Sequence, residues 1–162
     1  MKPEHLKEFE IVAAIITVSS TRTADTDSSG RIIQDLLKEA GIQIGRYSIV
    51  PDRIPEIRNE AALALQAASF VIFNGGTGLT HDDCTIEAIA PFLEKTIDGF
   101  GELFRQKSYS EIGTAAVLSR ALAGVTGGKA IFCIPGSNAA VRLATAELII
   151  PEIRHILSHA RS

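Results

Sequence analysis

Three short, almost wholly apolar segments constrain the fold of this chain more than any other feature. They read IVAAIITV at residues 11–18, FVIF at residues 70–73 and AIFCI at residues 130–134. A strand has this composition when both of its faces are buried, because neither face then meets water. The sequence therefore predicts a sheet that is covered by other elements on both sides.

Segments with helical periodicity separate these strands. Apolar residues recur three or four positions apart from Ile32 to Ala40, and Gly41 stands where a helix C-cap is expected. Residues 98–101 are rich in turn formers, and a helix follows them through Leu103. The pattern also predicts a strand at residues 43–50 and helices at residues 57–68, 85–93, 141–148 and 151–157. This alternation predicts an α/β fold with a mainly parallel sheet and helices on both faces.

Length and composition are those of one ordinary domain. With 162 residues, 46% of them hydrophobic, the chain can bury a core without disulfides or structural metals. We expect a single domain over residues 11–162, preceded by a polar N-terminal extension over residues 1–10. The two cysteines, Cys84 and Cys133, lie far apart and outside any CxxC pattern, so reduced thiols are expected.

Charge and hydropathy exclude some classes of partner. The formal net charge of -3 provides no basic excess that would draw the chain onto nucleic acid or an anionic membrane surface. No apolar run approaches the ~18 residues of a membrane span, and the charged start MKPEHLKEFE is unlike a secretory signal. We expect a soluble, cytoplasmic protein with neither nucleic acid nor membrane among its partners.

A glycine-rich loop, Gly75-Gly76-Thr77-Gly78, follows the strand at residues 70–73 and precedes a helix. Such a loop lets the backbone approach a ligand closely and can turn its N–H groups toward an anion. A tight strand-to-helix turn without a ligand is the alternative. Because neither a GK[ST] nor a GxGxxG pattern is present, an ordinary ATPase or dehydrogenase is disfavoured. The loop indicates a site for a phosphate-bearing small molecule.

Carboxylates stand beside this expected phosphate site. Asp82 and Asp83 follow the glycine loop, and Asp52 follows the strand at residues 43–50. Because parallel strands end at the same edge of a sheet, Asp52 could converge on the same crevice as Asp83, where both would suit Mg²⁺. For Asp82 we favour a role at the N-terminus of the next helix, which Thr85 could cap. For Asp52, a turn or capping residue is an equal alternative.

Two further strand ends carry polar groups. Pro135, Gly136 and Ser137 precede a helix and offer a hydroxyl and free N–H groups at its positive end, although Ser137 could be an ordinary cap. Ser19 and Arg22 belong to a polar cluster after the first strand. That cluster could contact phosphate or the edge of a heterocycle, and a solvated loop is the alternative.

Six motifs in fixed order extend over nearly the whole chain after Glu10. They are TVS (17–19) with Ser29-Gly30, VPD (50–52), GGTGLTHDDCTIEAI (75–89), GFGELFR (99–105), EIGTAAVLSRALAG (111–124) and IPGSNAAVRLA (134–144). Their order resembles the molybdenum-cofactor biosynthesis family that includes MogA, MoaB and the G domains of gephyrin. The stretch over residues 99–137, with Pro151-Glu152-Ile153 behind it, is most similar to the MoaB branch.

This resemblance implies a three-layer α/β/α molybdopterin-binding fold that assembles as a homotrimer or, in the MoaB branch, as a homohexamer. The implied activity is Mg²⁺-ATP-dependent adenylylation of molybdopterin with release of pyrophosphate. ATP and molybdopterin are then the substrates, and the metal-insertion protein of the pathway is an expected contact. A molybdopterin carrier or scaffold without turnover is the alternative, and a pterin- or nucleotide-binding domain of another pathway ranks third.

The resemblance also implies roles for individual residues. Asp83 matches the family's essential aspartate and Asp52 a second functional aspartate, and both are expected to hold or orient Mg²⁺. Positions that line the family's pocket are matched here by Ser19, Gly75, Gly76, Thr77, Gly78, Ser119, Pro135, Gly136 and Ser137.

Overall fold

Six strands form one sheet within residues 9–162, the part of the chain that this computed structural model describes. They are β1 (Val12–Val18), β2 (Gln43–Val50), β3 (Phe70–Asn74), β4 (Lys95–Thr96), β5 (Leu122–Thr126) and β6 (Lys129–Ile134). Their order across the sheet is β2-β1-β3-β6-β5-β4. The first four strands in that order pair in parallel, and β5 and β4 are added in antiparallel pairing. Of the predicted polar extension, residues 1–8 lie outside the described part.

Helices connect most of the strands. They are α1 (Ser28–Glu39), α2 (Ile54–Ala67), α3 (Thr85–Ile89), α4 (Asp98–Ile112), α5 (Asn138–Arg142) and α6 (Ile150–Ala160). Short 3₁₀ segments, Ala90–Phe92 and Gly113–Leu118, follow α3 and α4, and the π-helical segment Leu143–Ile149 joins α5 to α6 without a break. Over residues 9–162, no helix has both the length and the apolar character that crossing a membrane requires.

Two apolar cores lie on opposite faces of the sheet, because successive side chains of a strand point in opposite directions. In β1, Ala13 and Ile15 pack with α1, α4 and the continuous α5–α6 helix. The intervening residues, Ala14 and Ile16, pack with α2 and α3 instead. All four side chains are fully buried. The three-layer α/β/α fold that the sequence predicts is confirmed.

The parallel register brings four strand ends to one edge of the sheet. Val18, the last residue of β1, lies opposite Val50, the last residue of β2. Asn74, at the end of β3, pairs with Thr17 on one side and with Ile134, the end of β6, on the other. The polar loops that the sequence places after these strands are therefore neighbours in space.

The antiparallel edge, β4 and β5, is absent from the sequence-based prediction. β5 is five residues long and contains Gly124, and β4 has two residues, so neither has enough periodicity to be recognised. A two-residue turn connects β5 to β6 as a hairpin. Both of its residues, Gly127 and Gly128, have positive φ, at 55° and 76°, as the tightest hairpin turns require.

Residues 98–101 form the first turn of α4, so the prediction of a turn-rich connection there is wrong. Glycine disfavours helix by about 1 kcal/mol per residue, but tertiary packing overrides that preference. Phe100 and Phe104 bury one face of this helix in the core. Close packing also suits Gly101, because a Cβ there would lie 2.9 Å from the carbonyl oxygen of Ala121.

The predicted helix start at Thr85 is confirmed, but the predicted cap of that helix and the predicted start of the last helix are wrong. The N-cap position of α3 belongs to Cys84, and Thr85 is the first helical residue, with its hydroxyl donating to the carbonyl of Gly75 at 2.8 Å. The last helix does not begin at Pro151 but runs through it from Asn138. Proline lacks an N–H and crowds the carbonyl four residues before it, and the widened π turn that precedes Pro151 accommodates both effects.

Phe132 anchors the larger core, where its ring contacts Phe70 and Phe100 at centroid distances of 6.3 and 5.2 Å. We expect Phe132→Ala to lower the free energy of unfolding by about 3–5 kcal/mol through loss of burial and a residual cavity. Leu63→Ala, at a residue that is 47% exposed on α2, should cost less than about 1 kcal/mol. Urea denaturation measures both, and equal losses would contradict the assignment of this core.

Candidate active site

The glycine loop leaves β3 at the centre of the carboxyl edge. The N–H of Gly75 donates to the carbonyl of Ile134 at 3.0 Å, and the N–H of Thr85 donates to the carbonyl of Gly76 at 3.0 Å, so the loop is closed at its base. Gly75 has a φ of 98°, and a Cβ there would lie 2.4 Å from the carbonyl oxygen of Val18. Any larger residue at position 75 would therefore displace the end of β1.

Asp83 lies against the far side of this loop. Its Oδ2 accepts hydrogen bonds from the backbone N–H and the hydroxyl of Thr80, at 3.0 and 2.7 Å. The same oxygen is 2.6 Å from the position that a Cβ on Gly78 would occupy. No hydrogen bond within residues 9–162 engages Oδ1 of Asp83, so this oxygen is available to a ligand.

Asp52 approaches the loop from the end of β2. Its Oδ2 accepts the hydroxyl of Ser20 at 2.9 Å while its N–H donates to the same Oγ at 3.1 Å. Its Oδ1 has no hydrogen-bond partner in the described chain and lies 3.3 Å from where a Cβ on Gly76 would be. Asp52 does not cap α2, because the N-cap position belongs to Arg53 and no side chain makes a cap hydrogen bond.

The loops at this edge enclose two adjoining cavities. The first has a volume of about 350 Å³ and the second about 460 Å³. Among the residues that the sequence indicates, Thr77, Gly78, Asp83, Ser119 and Pro135 line the first cavity. Ser19, Arg22, Asp52 and Gly75 line the second. The two cavities share Gly76, Gly136 and Ser137, which form a ridge between them.

The ridge is made of two backbones in contact. A Cβ on Gly136 would lie 3.2 Å from the Cα of Gly75, so a side chain there would require the Gly75 backbone to shift. Ser137 is the N-cap of α5 and its Oγ accepts the N–H of Ala140 at 3.2 Å, so the capping alternative is confirmed. Its O–H remains a donor, because a hydroxyl accepts and donates at once.

Asp82 does not take part in a helix start, which makes the interpretation favoured from sequence wrong. Two residues separate it from the first residue of α3, and it lines the second cavity beside Asp52. Asp52 and Asp83 therefore reach the glycine loop from adjoining cavities instead of one crevice, and the second cavity holds two carboxylates.

Negative charge is concentrated around the loop. Burial raises the pKa of the Cys84 thiol, and the carboxylates of Asp52, Glu87, Asp83 and Asp82 raise it further. Asp52 and Asp83, the two predicted Mg²⁺ ligands, thus contribute to the same negative field. This field disfavours binding of a phosphate unless a cation is present. Within the described chain, no three His, Cys, Asp or Glu residues group into a metal site, so a cation here would need ligand oxygens as well.

Ser119 stands at the wall of the first cavity. Its hydroxyl oxygen is buried and has no hydrogen-bond partner within residues 9–162. A buried hydroxyl without a partner costs free energy, typically about 1–3 kcal/mol, which a ligand can recover. Apolar side chains, including Phe104, Leu118 and Leu143, cover much of the remaining wall. The first cavity can therefore take a largely apolar group with polar edges.

A buried polar network supports the second cavity, and sequence reasoning missed its centre, Asp27. This carboxylate is 1% exposed and accepts hydrogen bonds from the hydroxyls of Thr17 at 2.6 Å and Tyr47 at 2.5 Å. It also accepts the N–H of Gly30 at 3.1 Å, as the N-cap of α1. The local sequence signal for Asp27 is its position directly before an amphipathic helix, which is typical of an N-cap residue.

The same network holds Arg22 at the cavity wall. Its Nη1 lies 3.4 Å from Oδ1 of Asp27 and donates to the hydroxyl of Ser29 at 2.5 Å. Ser29 in turn donates to the side chain of Asn74, whose amide donates to Thr17. The Arg22 side chain remains 33% exposed, so the guanidinium can also meet an anion in the cavity.

Another cavity, larger than either of these two, lies at the antiparallel edge of the sheet. It has a volume of about 600 Å³, and its lining includes Lys95, Thr96, His155 and His159. The rings of His155 and His159 are 4.8 Å apart, and His155 contacts Glu152 at 3.0 Å. This cavity contains none of the residues that the sequence indicates.

The fold and the paired cavities at its carboxyl edge define a class, a three-layer α/β protein with a glycine loop suited to anions. Residues 14–155 match the family described as "Probable molybdopterin binding domain". The chain is 49% identical over 159 residues to "Molybdenum cofactor biosynthesis protein B" of Bacillus cereus, with 94% of each chain covered.

Solved structures agree with this match. The crystal structure of a molybdenum cofactor biosynthesis protein B superposes with a TM-score of 0.90 at 46% identity, covering 94% of this chain and 96% of the other. The tungsten cofactor synthesizing protein MoaB from Pyrococcus furiosus superposes with a TM-score of 0.87 at 38% identity, covering 96% and 100%. The chain belongs to the molybdopterin-binding-domain family of molybdenum cofactor biosynthesis proteins, the family that its motifs indicate.

The lowered pKa of Asp27 predicts a contribution to the free energy of unfolding that depends on pH. Burial alone would raise the pKa of its carboxyl, but hydrogen bonds from Thr17, Tyr47, Gly30 and Ser29 outweigh burial and hold the pKa below its ordinary value. A lowered folded-state pKa stabilises the protein above the unfolded-state pKa of about 4, and this contribution is lost as the pH falls through the folded-state value.

We expect Asp27→Asn to lower the free energy of unfolding by about 2–3 kcal/mol at pH 7, because a buried charged acceptor is lost. The difference from the wild type should shrink as the pH falls below about 4. Urea denaturation across this pH range measures the effect, with Asp35→Asn, at an exposed site on α1, as the matched control. A difference that does not change with pH would exclude this role.

Proposed function

We propose that this protein adenylylates molybdopterin with ATP in molybdenum cofactor biosynthesis. The terminal phosphate oxygen of molybdopterin attacks the α-phosphorus of ATP. A phosphorus–oxygen bond forms there as the bond between the α-phosphorus and the bridging oxygen to the β-phosphate breaks, and pyrophosphate leaves. Membership of the family supports the pathway, and the geometry of the carboxyl edge supports the reaction.

The observation that carries this proposal is the pair of adjoining cavities, the first lined by Asp83 and the second by Asp52 and Asp82, with a shared ridge of backbone between them. Two substrates with ring systems and phosphates need two places for their rings and one place for the phosphates to meet. At the ridge, Gly76 and Gly136 present no side chain, so the phosphates can approach the backbone closely. A carrier of a single pterin would need one such cavity.

The chain's own groups act by positioning and by neutralising charge. The N–H groups of the glycine loop and the hydroxyl of Ser137 donate to phosphate oxygens at the ridge, and Arg22 offers a guanidinium in the second cavity. The buried hydroxyl of Ser119 has no hydrogen-bond partner within residues 9–162, and it gains one when a substrate fills the first cavity. Holding the attacking oxygen and the α-phosphorus together accounts for much of the acceleration expected in phosphoryl chemistry.

Asp52 and Asp83 are the residues that would hold Mg²⁺. Each retains one carboxylate oxygen without a hydrogen bond in the described chain, and carboxylate oxygens together with substrate phosphates are the ligands that this ion prefers. When bound, Mg²⁺ supplies the positive charge that offsets the carboxylates and the phosphates. Asp83 and Asp52 therefore orient the reacting groups while their own repulsion of phosphate is cancelled.

We expect Asp83→Asn to lower turnover at least about a hundredfold, because it removes a charged ligand group at the reacting phosphates. The amide oxygen can still accept from Thr80, so the fold should be retained. Purified protein is incubated with molybdopterin, ATP and Mg²⁺, and adenylylated pterin is followed by mass spectrometry. Asp35→Asn serves as the matched control and should keep wild-type turnover.

Two outcomes would decide against the proposal. Wild-type turnover in the Asp83→Asn variant would remove Asp83 from the mechanism. Tight binding of molybdopterin with no adenylylated product from the wild type would favour the carrier protein, the alternative from a different functional class.

Exposed apolar side chains support a homo-oligomer as the working form, either a trimer or a hexamer. Tyr109, Ile112, Val117 and Leu118 are 60%, 56%, 81% and 57% exposed on α4 and the 3₁₀ segment after it. Ile112 and Leu118 also line the first cavity, so an interface on this face would border the site. Transfer of the product to the metal-insertion protein of the pathway would then take place at the open side of the cavities.

We expect Val117→Glu to dissociate this assembly, because a carboxylate in an apolar interface must lose its hydration. Light scattering should give a trimeric or hexameric mass for the wild type and a smaller mass for the variant. The charge control is Gln66→Glu, at an exposed position of α2. Lys129→Glu does not serve as a control, because Lys129 donates hydrogen bonds to backbone carbonyls and its loss would disturb the fold. Equal masses for the wild type and Val117→Glu would place the interface elsewhere.

A further inference from the structure

Arg120 contacts the outer side of the glycine loop and was not indicated by the sequence reasoning. Its Nε donates to the carbonyl of Thr77 at 2.9 Å, and its Nη2 donates to the carbonyl of Gly78 at 2.7 Å. Its Nη1 donates to Oε1 of Glu87, on α3, at 2.7 Å. One guanidinium therefore joins two consecutive carbonyls of the loop to the helix that follows the loop.

These contacts determine which way the loop's N–H groups point. Thr77 and Gly78 line the first cavity, whereas Arg120 lines neither cavity, so the loop lies between the guanidinium and the ligand space. In a planar trans peptide the C=O and the N–H point in opposite directions. With the carbonyls of Thr77 and Gly78 directed at Arg120, the N–H groups of Gly78 and Leu79 are directed away from the guanidinium, and Gly78 itself lines the first cavity.

Neither of these N–H groups has a protein acceptor within residues 9–162. The bonds from Gly75 N and Thr85 N close the base of the loop, and the bonds between Thr80 and Asp83 hold the stretch that follows Leu79. Between these two supports, the hydrogen bonds from Arg120 are the ones that engage the backbone of Thr77 and Gly78 within residues 9–162. Thr77 stands between two glycines, which restrain the backbone least. The peptide groups after Thr77 and Gly78 thus depend on Arg120 for their orientation.

We propose that Arg120 is a positioning residue that holds the glycine loop in its anion-binding conformation, with the N–H groups of Gly78 and Leu79 presented to a substrate phosphate. The role rests on the proposed function, because it concerns the phosphates of the same site. Arg120 acts through the loop and does not itself touch the substrate.

Arginine suits this role and lysine does not replace it fully. The planar guanidinium reaches both carbonyls and the carboxylate from fixed directions, whereas an ammonium group offers three rotatable donors around a single point. Glu87 contacts the guanidinium on the side opposite the loop carbonyls and so orients it. The hydrogen bond from Arg120 is also the largest cause of the lowered pKa of the Glu87 carboxyl.

Three variants test the proposal, with the full-length protein and Mg²⁺ present. Isothermal titration calorimetry gives the Kd of ATP and of inorganic pyrophosphate, and thermal unfolding gives Tm. We expect Arg120→Gln to raise both Kd values about tenfold or more, since the contacts to two loop carbonyls are weakened. Arg120→Lys should recover part of this loss. Glu87→Gln, which keeps the carbonyl contacts, should stay within about threefold of the wild type.

The Kd values separate a positioning role from a merely structural one. If Arg120 only stabilised the fold, Tm would fall in the Gln variant while the folded protein bound both probes with the wild-type Kd, and this result would overturn the inference. Failure of the wild type to bind either probe would overturn it together with the proposed function. Binding without adenylylated product would remove the proposed function alone, and the Kd ratio of Arg120→Gln to wild type would still decide the role of Arg120. Should the Gln variant not fold, the same comparison is made with Arg120→Lys.

Discussion

The site depends on one constraint, the parallel pairing of β2, β1, β3 and β6, which ends four strands at the same edge of the sheet. Parallel strands need crossover helices, and the helices that cover both faces leave this edge as the place where loops can face a ligand. The buried carboxylate of Asp27 stabilises that edge, because it accepts hydrogen bonds from β1, from β2 and from the start of α1. A charge taken out of water is tolerated only when it is well supplied with donors, so the network favours one arrangement of these elements.

Close backbone contact and concentrated charge then shape the site. Gly75 and Gly136 let two loops touch without side chains, which produces a ridge with a cavity on each side. Asp52, Asp82 and Asp83 make the surroundings of the ridge negative, and Arg22 and the loop amides oppose that charge. A surface with both kinds of group near one another is suited to a phosphate that arrives with a divalent cation.

Much of the fold and most of the site could be predicted from the sequence, because the signals involved are local. Apolar runs and helical periodicity gave the four parallel strands and the layers around them, and the strand-end loops contained the residues that line the two cavities. The antiparallel edge was missed because β4 and β5 are too short for periodicity to appear. The helix at residues 98–101 was missed because burial of Phe100 and Phe104 outweighs the low helix propensity of two glycines.

By itself, the sequence determined which segments are buried strands, where the glycine loop lies and which carboxylates stand beside it. Each of these features depends on residues that are close together along the chain. Only the tertiary structure decided that Asp82 faces a cavity, that Asp52 and Asp83 line different cavities, and that Arg120 donates to the carbonyls of the loop. Arg120 reaches carbonyls more than forty positions earlier in the chain, at separations of 43 and 42 residues. Contacts over such distances follow from how helices and strands pack, and no local pattern encodes them.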